Sequence, residues 1–160
     1  MPCGIYHWLF DSGSLTAKII NKCPGKFSVQ LISQKRTTPT PDEIRFLGLR
    51  YRSHAMIRQV VLYCDDRPWV YARSIIPVTT LTGPLRRLAH LGNKPLGAVL
   101  FSDRSILRGQ VEATSMDDRH ENYKWTGMSS GYLIWGRRSL FYKQSKKLLV
   151  SEFFLPDIPA

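Results

Sequence analysis

No apolar run of about 18 residues occurs in this 160-residue chain, so no membrane-spanning helix is expected. The opening stretch, MPCGIYHWLF, lacks a basic start, a full apolar segment and a small-residue cleavage site, so a secretory signal is not expected either. Cysteine is scarce. Cys3, Cys23 and Cys64 are odd in number and far apart, and no CxxC pair occurs, which reads as reduced thiols in a cytoplasmic protein. His7, His54, His90 and His120 are equally scattered, with no HxH or HExxH spacing, so no metal site is expected. The GxSxG elbow, the phosphate-binding loop and the dinucleotide fingerprint are all missing. An enzyme built on this chain would therefore work without a metal or a nucleotide cofactor. No internal repeat or low-complexity linker divides the chain, and its length fits one domain over 1–160 with a core of its own.

Acidic residues are also few: 12 Asp and Glu face 23 Lys and Arg, a net charge of +11 that attracts anions. Nucleic acid is one candidate partner and an anionic metabolite another. The basic residues are spread through QKR, LRYR, PLRR, GRR and KQSKK without zinc-finger spacing or an aromatic RNA-binding strand, so polynucleotide binding ranks last and most of these charges read as solvated surface.

The periodicity that is present favours strands. FDSGSLTAKIINK reads as a short helix capped by Ser12 or Ser14, and KFSVQLIS as a strand after the CPG break. QKRTTPTPDEI reads as a loop, its prolines disfavouring a helix. AMIRQVVLYCDDRPWVYARSIIP and YLIWGRRSLFYKQSKKLLVSEFFLP read as two hairpins, with helices at TGPLRRLAHL and GNKPLGAVLFS between them. The segment over 109–131 reads as a strand followed by a long polar loop. This order argues for an α+β fold around an antiparallel sheet.

Two charges stand on otherwise apolar strand faces. Glu152 alternates with Leu148, Val150 and Phe154, and Arg58 with Met56, Val60 and Leu62. Each could be an edge-strand charge reaching solvent. Together they suggest a closed polar pocket, because a buried carboxylate or guanidinium is costly unless paired, and a guanidinium fork suits a carboxylate. Leu96 after Pro95, and Leu15 after Ser14, would offer free N–H groups at helix N-termini, which suit anions, although plain capping explains them too. Arg73 has the same pattern as Arg58 and alternation does not rank the two. Arg137 and Arg138 must point to opposite faces, so at most one of them meets a pocket.

IRQVVLYCDDRPWVYARSIIPVTTLTGP, LGNKPLGAVLF, WGRRS and LLVSEFFLP, in that order, resemble the chorismate pyruvate-lyases of ubiquinone biosynthesis; WLFDSGSLTAKI and KFSVQLIS match more loosely. The resemblance implies a single domain with a six-stranded antiparallel sheet, helices on one face, and an internal ligand site under two helical flaps. It implies a cofactor-free lyase that converts chorismate into 4-hydroxybenzoate and pyruvate, and a cytoplasmic monomer is expected. The family's carboxylate-binding arginine falls on Arg58, its two binding amides on Leu15 and Leu96, and its hydroxyl-side glutamate on Glu152. Leu15 stands where a methionine occurs in the family, a change that a backbone contact tolerates. Glu152 would be the general base, unless the enolpyruvyl group takes the proton itself in a cyclic step. Arg73, Arg137 or Arg138 would meet the second carboxylate. Two departures stand out: the 109–131 segment is longer than the family's by about fifteen residues, an insertion that loops tolerate, and the start is shorter, so an N-terminal helix is expected to be missing. The competing reading is a non-catalytic aromatic-acid-binding module of the same fold.

Overall fold

A computed structural model describes residues 2–160. Seven strands form one antiparallel sheet: β1 (Phe27–Thr37), β2 (Ala55–Cys64), β3 (Arg67–Pro77), β4 (Leu107–Arg108), β5 (Glu112–Met116), β6 (Ile134–Lys143) and β7 (Lys146–Phe154). Their order is β1-β2-β3-β7-β6-β4, and β5 also pairs with β6. The short strands β4 and β5 share the outer edge of β6, β4 beside Phe141 and Tyr142 and β5 beside residues 134–138. Seven strands thus fill the six ladder positions expected from the sequence.

The two hairpins form as their β-branched and aromatic runs dictate, β2 with β3 and β6 with β7. Asp65 turns the first with a positive φ of 53°, a conformation that Asp tolerates better than most residues. Almost every residue of β2 and β3 is buried, because both sheet faces are covered.

On one face lie α1 (Tyr6–Leu9), α2 (Leu15–Lys22), a 3₁₀ helix (Gly83–His90) and α4 (Leu96–Ser102). Trp8, Leu9, Leu15 and Ile19 pack on Val60, Leu62, Ala72 and Phe154, and Leu85, Leu88, Leu96 and Leu100 pack on Met56, Ile76, Phe141 and Val150. Short helical turns also occupy the N-terminal residues, over Cys3–Ile5 and Tyr6–Leu9. The 83–90 helix is 3₁₀ rather than α.

The opposite face is covered as well. Leu47 of α3 (Pro41–Leu47) packs with Ile57, Ile75 and Leu149. Tyr123, in the 3₁₀ helix Tyr123–Thr126, packs with Val61, Tyr71 and Phe153. Helix α3 corrects the loop expected over 34–44. Pro41 occupies the first turn, where its missing N–H costs nothing, and Thr40 and Glu43 form a capping box. The preceding QKRT belongs to β1. The long 109–131 segment builds the cover of this far face rather than part of the flap side.

The expectation of three reduced thiols is also overturned: Cys23 and Cys64 form a disulfide, with Cα atoms 5.6 Å apart, and Cys3 alone is free. Their 41-residue separation hid the pairing. Cys23 caps the C-terminus of α2, and the chain then enters β1, whose Phe27 is in register with Cys64 at the end of β2. The strand pairing itself brings the two cysteines together. Beside the disulfide, the N–H groups of Lys26 and Asp65 donate to Asp65 Oδ1 and Lys26 O, each at 2.8 Å.

A bond closing a loop of this length is expected to contribute about 3–4 kcal/mol, mainly by restricting the unfolded chain. Denaturant unfolding of Cys64→Ser, and of the wild type under dithiothreitol, should show the same loss. A difference below about 1 kcal/mol would show that the bridge contributes little.

Candidate active site

Between the first helical layer and the sheet lies a slot of about 40 Å³, floored by β2, β3, β6 and β7 and roofed by α2 and α4. In this closed form it has room for a few waters, by the usual allowance of about 10–15 Å³ each. Leu15 and Leu96 open the two roof helices. Ser14 accepts from the Ala17 N–H at 3.2 Å as the cap of α2, and Pro95 precedes Leu96. The roof helices meet at Gly97, where a Cβ would stand 3.1 Å from Thr16 Oγ1, closer than a side chain sits comfortably.

Four charged side chains line the slot: Arg58, Arg108, Arg137 and Glu152. Three arginines against one glutamate leave two net positive charges in a largely apolar cavity.

Arg58, on β2, is 1% exposed. Its Nη1 donates to Gln34 Oε1 at 3.3 Å and its Nη2 to the Lys94 carbonyl at 2.8 Å, which ties the strand to the loop ahead of α4. Both partners are neutral, and among the described residues no carboxylate lies within ion-pair distance of it. Burial pulls its pKa below the ordinary guanidinium value.

Glu152 is instead compensated by Arg137, its register partner on β6. Arg137 Nε donates to Glu152 Oε2 at 2.8 Å, while Nη1 donates to the carbonyls of Asp11 (2.7 Å), Trp8 (2.9 Å) and Leu9 (3.4 Å). The neighbouring Gly136 is required by close packing, since a Cβ there would come within 2.7 Å of the Glu152 carbonyl oxygen.

Arg58, Glu152, Leu15 and Leu96 thus converge on one cavity. Of the three arginines suggested for a second carboxylate, only Arg137 does so. Arg73 and Arg138 lie on the far face, because strand alternation turns them away from it. Arg73 makes a two-point ion pair with Glu43, at 2.6 and 3.1 Å, which outweighs the effect of burial and raises its pKa. Arg138 bridges Asp42 (2.7 Å) and Glu112 (3.0 Å). Both line a larger, more open groove of about 560 Å³ on that face. Its carboxylates, Asp42, Glu43, Glu112 and Glu121, outnumber its arginines, Arg45, Arg73 and Arg138, so charge rather than volume singles out the smaller slot as the candidate site.

The reading of the sequence missed Arg108. It sits in a two-residue strand, too short for alternation to reveal which way it points. Its proximity to Phe141 and Ser139 arises only when β4 pairs with β6.

Transcriptional regulators of known structure share this fold. PhnF from Mycobacterium smegmatis superposes with a TM-score of 0.66 at 15% identity, over 94% of this chain and 67% of that one. A GntR-family transcriptional regulator from Bacillus cereus does so at 0.63 and 8% identity, over 83% and 94%. At such identities the likeness is one of fold. Sequence narrows it further: the chorismate lyase family model matches residues 1–159, and the chain belongs to that family. Two relatives named probable chorismate pyruvate-lyase are similar over nearly the whole chain. That of Methylococcus capsulatus is 44% identical over 156 residues, covering 94% of each protein. That of Marinobacter nauticus is 43% identical over 152 residues, covering 95% of this chain and 76% of the relative.

Arg137→Met should destabilise the fold by about 3–5 kcal/mol, the usual effect of stranding a buried charge. Urea unfolding measures this, and Arg137→Met combined with Glu152→Leu should recover part of the loss. Independent, additive effects would show that the pair is not coupled.

Proposed function

We propose that this protein is a chorismate pyruvate-lyase, with the slot between the sheet and the two roof helices as its active site. The observation that carries this reading is the charge of the slot. Two net positive charges in a closed apolar cavity complement chorismate, a dianion with one carboxylate on its ring and one on its enolpyruvyl ether. Arg58 and the Leu15 and Leu96 amides anchor the ring carboxylate. Glu152, held by Arg137, faces the ring hydroxyl at the other end.

The reaction is an elimination. The bond between hydrogen and the hydroxyl-bearing carbon breaks, and its electrons form a new ring double bond. The adjacent carbon–oxygen bond breaks, and its electrons leave with enolpyruvate, which tautomerises to pyruvate. The ring becomes aromatic, so the protein has to supply orientation, charge complementarity and a destination for one proton. Glu152 is that destination, with Oε2 held by Arg137 and Oε1 left to act. Its fixed position spares the reaction the cost of bringing a base into line. The narrowness of the closed slot means that substrate enters when the roof helices part, and the seam at Gly97 and Thr16 is where they would separate. The family membership and the relatives' names support the same activity.

Purified protein incubated with chorismate should release 4-hydroxybenzoate and pyruvate in equal amounts, followed by chromatography and a coupled dehydrogenase assay. Tight binding of an aromatic acid with chorismate left intact would instead identify a binding module of the regulator type. Glu152→Gln should lower kcat by about 100-fold or more, the range of general base catalysis. A loss under about tenfold would assign the proton to the departing enolpyruvyl group. Arg58→Met should weaken 4-hydroxybenzoate binding by about 30-fold or more, as expected for loss of a buried charged donor.

A further inference from the structure

Arg108 is anchored at only one point. Its Nε donates to Ser139 Oγ at 3.0 Å. Its guanidinium carbon lies 5.9 Å from the ring centre of Phe101 on α4 and 5.5 Å from that of Phe141 on β6. Its Nη1 is buried and has no hydrogen-bond partner, the one such side-chain atom among the described residues. A buried guanidinium nitrogen without an acceptor is costly, and native structures leave few of them without a purpose. Arg108 lines the slot. In the strand order β2-β3-β7-β6-β4, Arg108 on β4 lies on the Glu152 side of the cavity, with β3, β7 and β6 between it and the strand of Arg58.

The other cations are accounted for. Arg137 is engaged with Glu152 and three backbone carbonyls. In the proposed function, Arg58 takes the ring carboxylate. Chorismate carries its enolpyruvyl ether on the carbon next to the one bearing the hydroxyl. The second carboxylate therefore projects from the Glu152 end, where Arg108 holds an empty donor. Resting on that reading, we infer that Arg108 binds the enolpyruvyl carboxylate, and that this contact distinguishes substrate from the aromatic product. 4-Hydroxybenzoate has lost the second carboxylate, so Arg108 adds to the binding of chorismate and of the leaving enolpyruvate but not to that of the retained ring. The aromatic rings of Phe101 and Phe141 hold the guanidinium in place while its Nη1 stays free.

The test compares two ligands on two variants, Arg108→Met and Arg108→Lys, with thermal unfolding to confirm that each is folded. In Arg108→Met, kcat/KM for chorismate should fall by about 30-fold or more, as for loss of a buried charged contact. The Kd for 4-hydroxybenzoate should move by less than about threefold, since the product makes no such contact. Arg108→Lys, which keeps the charge but not the fork, should recover part of the chorismate loss. Equal losses for both ligands would overturn the inference and make Arg108 a support for the slot as a whole. No loss for chorismate would overturn it outright. If wild-type protein binds chorismate without releasing pyruvate, the lyase reading fails, and the same comparison is read from chorismate Kd. If it does not bind chorismate, both fall.

Discussion

The structure turns on the guanidinium of Arg137. Three parts of the chain meet there: β6, which carries it; β7, whose Glu152 it neutralises; and the N-terminal segment, whose carbonyls at Trp8, Leu9 and Asp11 it collects. Arginine is suited to this role because its donors are arranged in a fixed planar fork and its charge is not lost on burial. A carboxylate on the apolar face of a central strand would otherwise be too costly to keep. One side chain thus makes an internal acid tolerable and ties it to the segment from Trp8 to Asp11, ahead of α2.

The two faces of the sheet handle buried charge differently. On the far face the two strand arginines have carboxylate partners: Arg73 with Glu43, and Arg138 with Asp42 and Glu112. Tyr71, whose pKa burial pushes up, remains a donor there and bonds Gln59. These contacts are closed among themselves and need nothing from outside. On the slot face, Arg58 has only neutral partners and Arg108 has a vacant nitrogen. That imbalance leaves the slot with a net positive charge. It separates the two cavities more clearly than their sizes, which would have pointed to the far face.

The sequence made much of this legible, and where it did not the reasons are physical. The hairpins could be read because β-branched runs around DDRP leave little else for the chain to form. Alternation along β7 placed Glu152 among apolar residues, and along β2 it did the same for Arg58. Alternation could not tell Arg58 from Arg73, since both strands are buried on both sides and the pattern of polarity is erased. The partner of Glu152 was hidden because it depends on which residue of β6 falls opposite, a matter of register across the sheet. The disulfide was hidden because the distance between Cys23 and Cys64 along the chain says nothing of the strand pairing that joins them. Helix α3 was missed because proline was taken as a breaker, when the residue before it was a cap.

The disulfide also has a mechanical meaning. It fastens α2 at its C-terminal end, while the end that begins with Leu15 forms part of the roof of the slot. A helix held at one end moves as a lever. With a rise of about 1.5 Å per residue, Leu15 lies about 12 Å from the fixed point. A swing of about 20° would carry it about 4 Å, enough to open a gap about the thickness of an aromatic ring. The same bond that restrains the unfolded chain therefore sets the axis about which this part of the roof can turn, and leaves the free end of the lever over the cavity.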